Sequence, residues 1–108
     1  MIVKIYRNTT TGIKLCEGEY FEHEGFRFCI TTVEYEEELV IYAIEYTTGF
    51  DAIPPGLNYI LRPIRKNLKK EIEQVKQAIK GLSKDELIAV VNKAKKSPYC
   101  KGNYPLNK

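Results

Sequence analysis

The sequence contains no tryptophan, one methionine and one histidine, and its seven glycines are never adjacent. No stretch reaches the roughly 18 consecutive apolar residues of a membrane-spanning helix, and the start MIVKIYRN lacks the apolar core of a secretory signal. Isolated glycines supply no phosphate-binding loop, because such a loop needs successive free backbone N–H groups. We therefore expect a cytoplasmic protein with no membrane contact and no cofactor.

Histidine and cysteine are too scarce to build a familiar catalytic or metal site. A catalytic triad or a Cys-His pair would have to use His23, because there is no other histidine. The three cysteines, Cys16, Cys29 and Cys100, are an odd number and show no zinc-binding spacing. We predict free thiols, no metal, no catalytic residue and no enzymatic activity. In a symmetric hairpin Cys16 and Cys29 would be diagonal neighbours, whereas a bulge would place them on opposite faces, so their contact stays open.

Length and composition indicate one domain. The chain has 108 residues, of which 44% are hydrophobic and 29% charged, enough for one hydrophobic core and too few for two. We predict a single domain over residues 1–98, with a sheet half at 1–53, a connector at 54–62 and a helical half at 63–97. A polar tail follows at 99–108.

Four segments of the first half predict β-strands, because β-branched and aromatic residues dominate them and turn residues separate them. They are Ile2–Arg7, Ile13–Phe21, Phe26–Val33 and Leu39–Ile44. The last is apolar on both faces, which is typical of a central strand covered on both sides.

The second hairpin has one irregular feature. If the chain turns symmetrically over 22–25, residues whose numbers sum to about 47 face each other. In this register Ile13, Leu15 and Phe21 of one strand share a face of the sheet with Phe26, Phe28 and Ile30 of the other. Glu17 and Glu19 interrupt that apolar face, so we expect a bulge at Gly18 that changes which face the following residues occupy.

The second half predicts two helices after the Pro54-Pro55-Gly56 break. The first predicted helix begins near Pro63 and ends at Gly81. Apolar residues recur every three or four positions along it and at its two ends, and they are Leu61, Ile64, Leu68, Ile72, Val75, Ile79 and Leu82. Ser83 and Glu86 have the spacing of a capping box, which begins a second helix that Ser97-Pro98 ends. The predicted fold is α+β, a four-stranded antiparallel β-meander followed by a two-helix hairpin packed on one face.

The net charge of +3 conceals two halves of opposite sign. Residues 1–50 carry −5 and residues 51–108 carry +8. Such asymmetry indicates a charged partner surface, a protein or a protein–nucleic acid complex. It also allows self-association, because the acidic half of one copy can meet the basic half of another.

Our first hypothesis is a non-enzymatic binding protein that uses its acidic turns. The acidic turns would mimic phosphate and tyrosine would anchor the contact. The candidate residues are Glu22, Glu24, Tyr35, Glu36, Glu37 and Glu38. The two turns lie about 25 Å apart at opposite ends of the third strand, at about 3.3 Å per residue, so they cannot share a metal ion.

The alternative is a nucleic-acid-binding accessory domain that uses the basic helical half. Its candidate residues are Arg62, Arg65, Lys66, Lys69 and Lys70. Lysine outnumbers arginine 13 to 4, although arginine makes the better bidentate phosphate contacts.

In size, in its lack of catalytic motifs and in its Lys/Ile/Asn/Tyr-rich composition, the chain resembles the short accessory proteins of phages and mobile elements, anti-CRISPR inhibitors among them. That resemblance implies an inhibitor of a host defence protein, such as a CRISPR nuclease. It carries no functional residue over, because no motif is shared.

Overall fold

The structure, a computed structural model, describes residues 1–9, 11–35, 38–51, 68–97 and 107. Four antiparallel strands form one open sheet in the order β1-β2-β3-β4, and two helices follow. The elements are β1 (Ile2–Thr9), β2 (Gly12–His23), β3 (Phe26–Tyr35), β4 (Glu38–Glu45), α1 (Leu68–Lys80) and α2 (Lys84–Lys95). The predicted α+β meander with a helical hairpin is confirmed.

The β2–β3 hairpin turns one residue later than the sequence predicts. Its loop consists of Glu24 and Gly25, both with positive φ (52° and 80°), as a two-residue type I′ loop requires. Paired residue numbers therefore sum to 49, with Phe21 opposite Phe28, and the predicted sum of 47 is wrong. A shift of two residues leaves every side chain on its predicted face.

Gly18 is the point at which β2 changes partners. Residues up to Glu19 pair with β1, whereas residues from Gly18 onward pair with β3. The pairing is continuous in the described residues, so the predicted bulge at Gly18 is wrong. Glycine is required at position 18 for another reason, because a Cβ there would lie 2.3 Å from the carbonyl oxygen of Ile30. Glycine permits the close approach of the two backbones.

The sheet curls until its first strand meets the turn after its last. In a flat sheet β1 and β4 would be about 14 Å apart, at about 4.8 Å per strand spacing. Instead the Asn8 amide donates to the Gly49 carbonyl oxygen at 2.7 Å, and Asn8 Nδ2 donates to the Thr48 carbonyl oxygen at 2.5 Å. The buried Glu45 carboxylate holds this turn by accepting from the backbone N–H groups of Thr47 (2.8 Å) and Thr48 (3.0 Å).

Curling produces two hydrophobic clusters from one sheet. The inner, concave face buries Ile5, Cys29, Ile44 and Tyr46, with Val3, Cys16, Tyr20 and Tyr42 packed against them. The outer face packs on the helices through Phe28, Ile30, Ile41, Ala43, Val75, Ile79 and Leu87. The predicted covering of β4 on both faces is confirmed, whereas its predicted central position is wrong, because β4 is the last strand in the sheet order.

The helices follow the predicted pattern where they are described. Ile72, Val75 and Ile79 of α1 face the sheet, and Leu87 and Val91 of α2 are buried. The predicted capping box is present, with Ser83 Oγ accepting from the Glu86 amide at 3.2 Å and the Glu86 carboxylate accepting from the Ser83 amide at 3.1 Å. The predicted beginning of the first helix near Pro63, and Leu61 and Ile64 with it, lie outside the described residues.

Glu19 shows how a charged residue is accommodated on the helix-facing side of β2. Its carboxylate lies 3.0 Å from Lys76 Nζ on α1, and Glu73 lies 3.2 Å from the same ammonium. Partial burial lowers the pKa of Lys76, but the hydrogen bonds to Glu19 and Glu73 outweigh it and raise that pKa above its ordinary value. Glu19 therefore needs no change of face.

Replacing Gly18 with alanine tests the close approach of β2 and β3. We expect Gly18→Ala to lower the free energy of unfolding by about 1–3 kcal/mol, because the added methyl overlaps backbone that must move. Urea denaturation followed by circular dichroism measures the change. Gly81→Ala is the control, because a Cβ at position 81 would lie 3.4 Å from the nearest atom. This substitution should change the free energy of unfolding by no more than about 0.5 kcal/mol. Equal effects of the two substitutions would contradict the account.

Candidate interaction surface

The first predicted acidic turn forms the tip of the β2–β3 hairpin. Tyr20 Oη donates to Glu22 at 2.7 Å, a hydrogen bond that raises the pKa of Tyr20. His23 between the two acidic residues is part-buried, and its Nε2 donates to the Leu82 carbonyl oxygen at 3.0 Å. The histidine thus ties the hairpin to the α1–α2 turn, while Glu22 and Glu24 stay exposed.

The second acidic turn lies at the opposite end of β3, as the strand length predicts. Tyr35 and Glu38 are cross-strand partners that close the β3–β4 hairpin. Glu36 and Glu37 lie outside the described residues. The structure therefore separates the two acidic turns, and neither is brought near the other. Among the described residues no group of three or more His, Cys, Asp and Glu side chains could hold a metal ion.

The predicted basic surface is described only in part. Lys69 and Lys70 are exposed in the first turn of α1, whereas Arg62, Arg65 and Lys66 lie outside the described residues. Lys76, on the same helix, is bound to Glu19 and Glu73 and so is committed to the fold. No helix in the described part of the chain is long and apolar enough to cross a membrane.

The two described thiols meet inside the curled sheet. Cys29 is fully buried and Cys16 is half-buried, and they lie in the same inner cluster. The Sγ of Cys29 lies where a side chain at Gly18 would stand, 2.9 Å from the position of its Cβ. A hydrogen bond from Cys29 lowers the pKa of Cys16, half-burial opposes this shift, and the positive charge of Arg7 adds to it. The same hydrogen bond and burial raise the pKa of Cys29.

An exposed apolar surface lies on the outer face of β1 and β2, which the helices do not cover. We call it the hairpin face, and it consists of Ile2 (63% exposed), Tyr6 (50%), Ile13 (46%) and Leu15 (58%). Lys4 and Glu17 lie on the same face, side by side between Ile2 and Tyr6. Tyr6, Leu15 and Ile13 are neighbours on this face, and exposed apolar side chains that cluster beside charged ones mark interaction sites.

We predicted Ile13 and Leu15 on one apolar face with Phe21, opposite strand β3, and so missed this surface. Both residues pair with β1, as partners of Asn8 and Tyr6, rather than with β3. A signal is present in the sequence, because Lys4 and Glu17 share their face and neither charge suits a buried layer. The predicted bulge misinterprets that signal.

The outer edge of β1 is covered beside the hairpin face. Asn107 is buried, and its Oδ1 accepts from the Tyr6 amide at 2.7 Å while its Nδ2 donates to the Tyr6 carbonyl oxygen at 2.8 Å. The same Nδ2 lies 3.1 Å from the Tyr46 carbonyl oxygen. Together with the Asn8–Gly49 hydrogen bond, these contacts block strand addition at the centre of this edge.

A small cavity adjoins the hairpin face. It has a volume of about 220 Å³ and lies between β2, β3 and α1, with Ile2, Glu17, Glu19 and Ile72 among its lining residues. The hairpin face therefore combines projecting apolar side chains with a recess beside them.

No family model, curated protein or solved structure matches this chain. The function is therefore inferred from the described side chains themselves.

The thiol pair makes a prediction about reactivity. With Cys100→Ser as the background, iodoacetamide at neutral pH should label Cys16 and leave the buried Cys29 unlabelled in the folded protein. Cys29→Ala removes the hydrogen bond that lowers the pKa of Cys16, so the labelling rate should fall several-fold. Peptide mass spectrometry over a time course measures both rates. An unchanged rate at Cys16 would show that the hydrogen bond does not activate it.

Proposed function

We propose that this protein is a non-enzymatic binding protein that contacts another protein through its hairpin face. The observation that carries the proposal is the exposure of Tyr6, Ile13 and Leu15 on a sheet whose two faces otherwise pack their apolar side chains into two hydrophobic clusters. A monomeric fold gains nothing from leaving these side chains in water, whereas a protein partner covers them. Tyrosine also offers a large apolar ring with a polar tip, which interfaces favour.

The charges on the hairpin face support a protein partner rather than a nucleic acid. Lys4 and Glu17 balance each other, so the face has no net positive charge with which to follow a phosphate backbone. Fully burying a large apolar side chain contributes about 1.5–3 kcal/mol, so covering four half-exposed ones contributes about 3–6 kcal/mol. This contribution anchors a contact but does not complete one, because association carries its own entropic cost.

The acidic tip at Glu22 and Glu24 remains part of the proposal as a secondary contact. It lies at the far end of β2 from the β1–β2 turn, exposed and fixed by His23. Such a tip would suit a basic groove on a host defence protein, the class of target that the resemblance to phage and mobile-element inhibitors implies. The basic half would instead suit nucleic acid through Lys69 and Lys70, which are exposed, whereas Lys76 on the same helix is held in ion pairs with Glu19 and Glu73.

Site-specific photo-cross-linking tests whether the hairpin face is a contact surface. A benzophenone side chain in place of Leu15 should yield a discrete protein adduct in the cells that naturally produce this protein, because the partner occupies the hairpin face in those cells. The control carries the same group in place of Ile88, an exposed apolar residue on α2 (40% exposed) that lies outside the face. Denaturing electrophoresis with mass spectrometry identifies the adducts. No adduct from position 15, or the same adducts from both positions, would contradict the proposal.

A further inference from the structure

We infer that the protein that covers the hairpin face is a second copy of this chain, related by a two-fold axis that runs parallel to the strands, above the line midway between β1 and β2. This inference rests on the proposed function and names the partner of that same surface.

The register of the first hairpin lets the face pair with itself through a two-fold rotation. Lys4 pairs with Glu17 and Tyr6 pairs with Leu15 across the two strands. A two-fold axis midway between the strands places each β1 side chain of one copy opposite a β2 side chain of the other copy. That β2 residue is the one that pairs with the β1 residue within a single hairpin. Tyr6 then packs on Leu15 of the other chain, twice in one interface, in an aligned sheet-on-sheet arrangement.

The same operation matches the charges. Lys4 and Glu17 are both exposed, and neither forms an ion pair with a described side chain, unlike Glu19, which Lys76 occupies. The axis brings Lys4 of each copy opposite Glu17 of the other, so one interface contains two complementary pairs. A partner with a uniformly acidic or basic surface would match one of these charges and repel the other.

The recess beside the face also has an occupant under this symmetry. Ile2 pairs with Glu19 in the register, so the axis places Ile2 of the second copy over Glu19. Glu19 and Ile72 line the cavity of about 220 Å³, which has room for an isoleucine side chain. Ile2, the most exposed side chain of the hairpin face, would therefore enter the cavity of the other copy.

The covered edge of β1 decides how a second copy can approach. Tyr6 and Asn8 already use their edge-facing backbone groups on Asn107 and Gly49. Continuation of the sheet through the centre of the β1 edge is therefore blocked, and a second copy that covers the hairpin face packs on it face to face.

The size of the face sets the expected affinity. Eight residues on each of two strands span about 26 by 10 Å, or roughly 250 Å² per copy, at the usual strand spacings. Stable interfaces bury about 800 Å² on each partner. We therefore expect a weak, reversible dimer with a dissociation constant in the micromolar range or above.

The test exploits the charge pairs in a mixing experiment. Lys4→Glu and Glu17→Lys each place like charges across the axis, so each variant alone should dimerise at least tenfold more weakly than the wild type. An equimolar mixture should recover the affinity, because a chain with two glutamates then faces a chain with two lysines, and both pairs are complementary. Sedimentation equilibrium at low ionic strength, over a concentration series, measures the dissociation constant of the wild type, of each variant and of the mixture. Lys93→Glu on α2 is the control and should leave the affinity unchanged.

Recovery in the mixture cannot come from the contact within one hairpin, because each variant chain still contains a like-charged pair. If a charge reversal prevents folding, Leu15→Asp, whose side chain is exposed, provides a second variant that should abolish the dimer. A wild type that stays monomeric, or a mixture that associates no better than its components, overturns the inference. If the wild type is monomeric and position 15 cross-links to a different protein, the inferred dimer is overturned while the proposed contact surface stands. If position 15 gives no adduct at all, the dimer and the proposed contact surface are both overturned.

Discussion

At Gly18 the backbone of β2 approaches β3 so closely that a single added carbon atom would lie 2.3 Å from the carbonyl oxygen of Ile30. The rest of the molecule depends on this contact. It is where β2 leaves one neighbour for the other, and it lets the sheet curl until Asn8 reaches Gly49. It also leaves the space that Cys29 Sγ occupies next to Cys16. A residue without a side chain thus permits both the close approach of the two backbones and the packing of the two thiols at this point.

The curl also explains why an apolar surface is left over. The described helices cover the outer face of β3, β4 and the second half of β2, where Phe28, Ile30 and Ala43 lie. The inner face buries a cluster of its own around Ile5 and Ile44. Asn107 and Gly49 cover the edge of β1. The outer side of the first hairpin stays exposed, with its apolar side chains Ile2, Tyr6, Ile13 and Leu15 between 46% and 63% exposed. The proposed contact surface is therefore a consequence of the fold.

Local signals in the sequence predicted local structure well. The Ser83 capping box, the apolar spacing of Ile72, Val75 and Ile79, and all four strands are confirmed. Period-two alternation reports which residues share a face but not whether a helix covers it, so it does not distinguish exposed Leu15 from a core residue. The curl and the contact of Asn107 with Tyr6 join residues far apart in sequence, which no local pattern encodes. The acidic and basic candidate sites remain hypotheses from charge alone.

The central claim is that the sheet curls to cover the centre of its own first edge and leaves the hairpin face exposed to a partner. Backbone amide hydrogen exchange, measured by NMR, tests it most directly, because Tyr6 and Asn8 would be unprotected on the open edge of a flat sheet. The account predicts that both amides exchange slowly, since they donate to Asn107 Oδ1 and to the Gly49 carbonyl oxygen. Exchange of both amides as fast as those of the Glu24–Gly25 turn would contradict it.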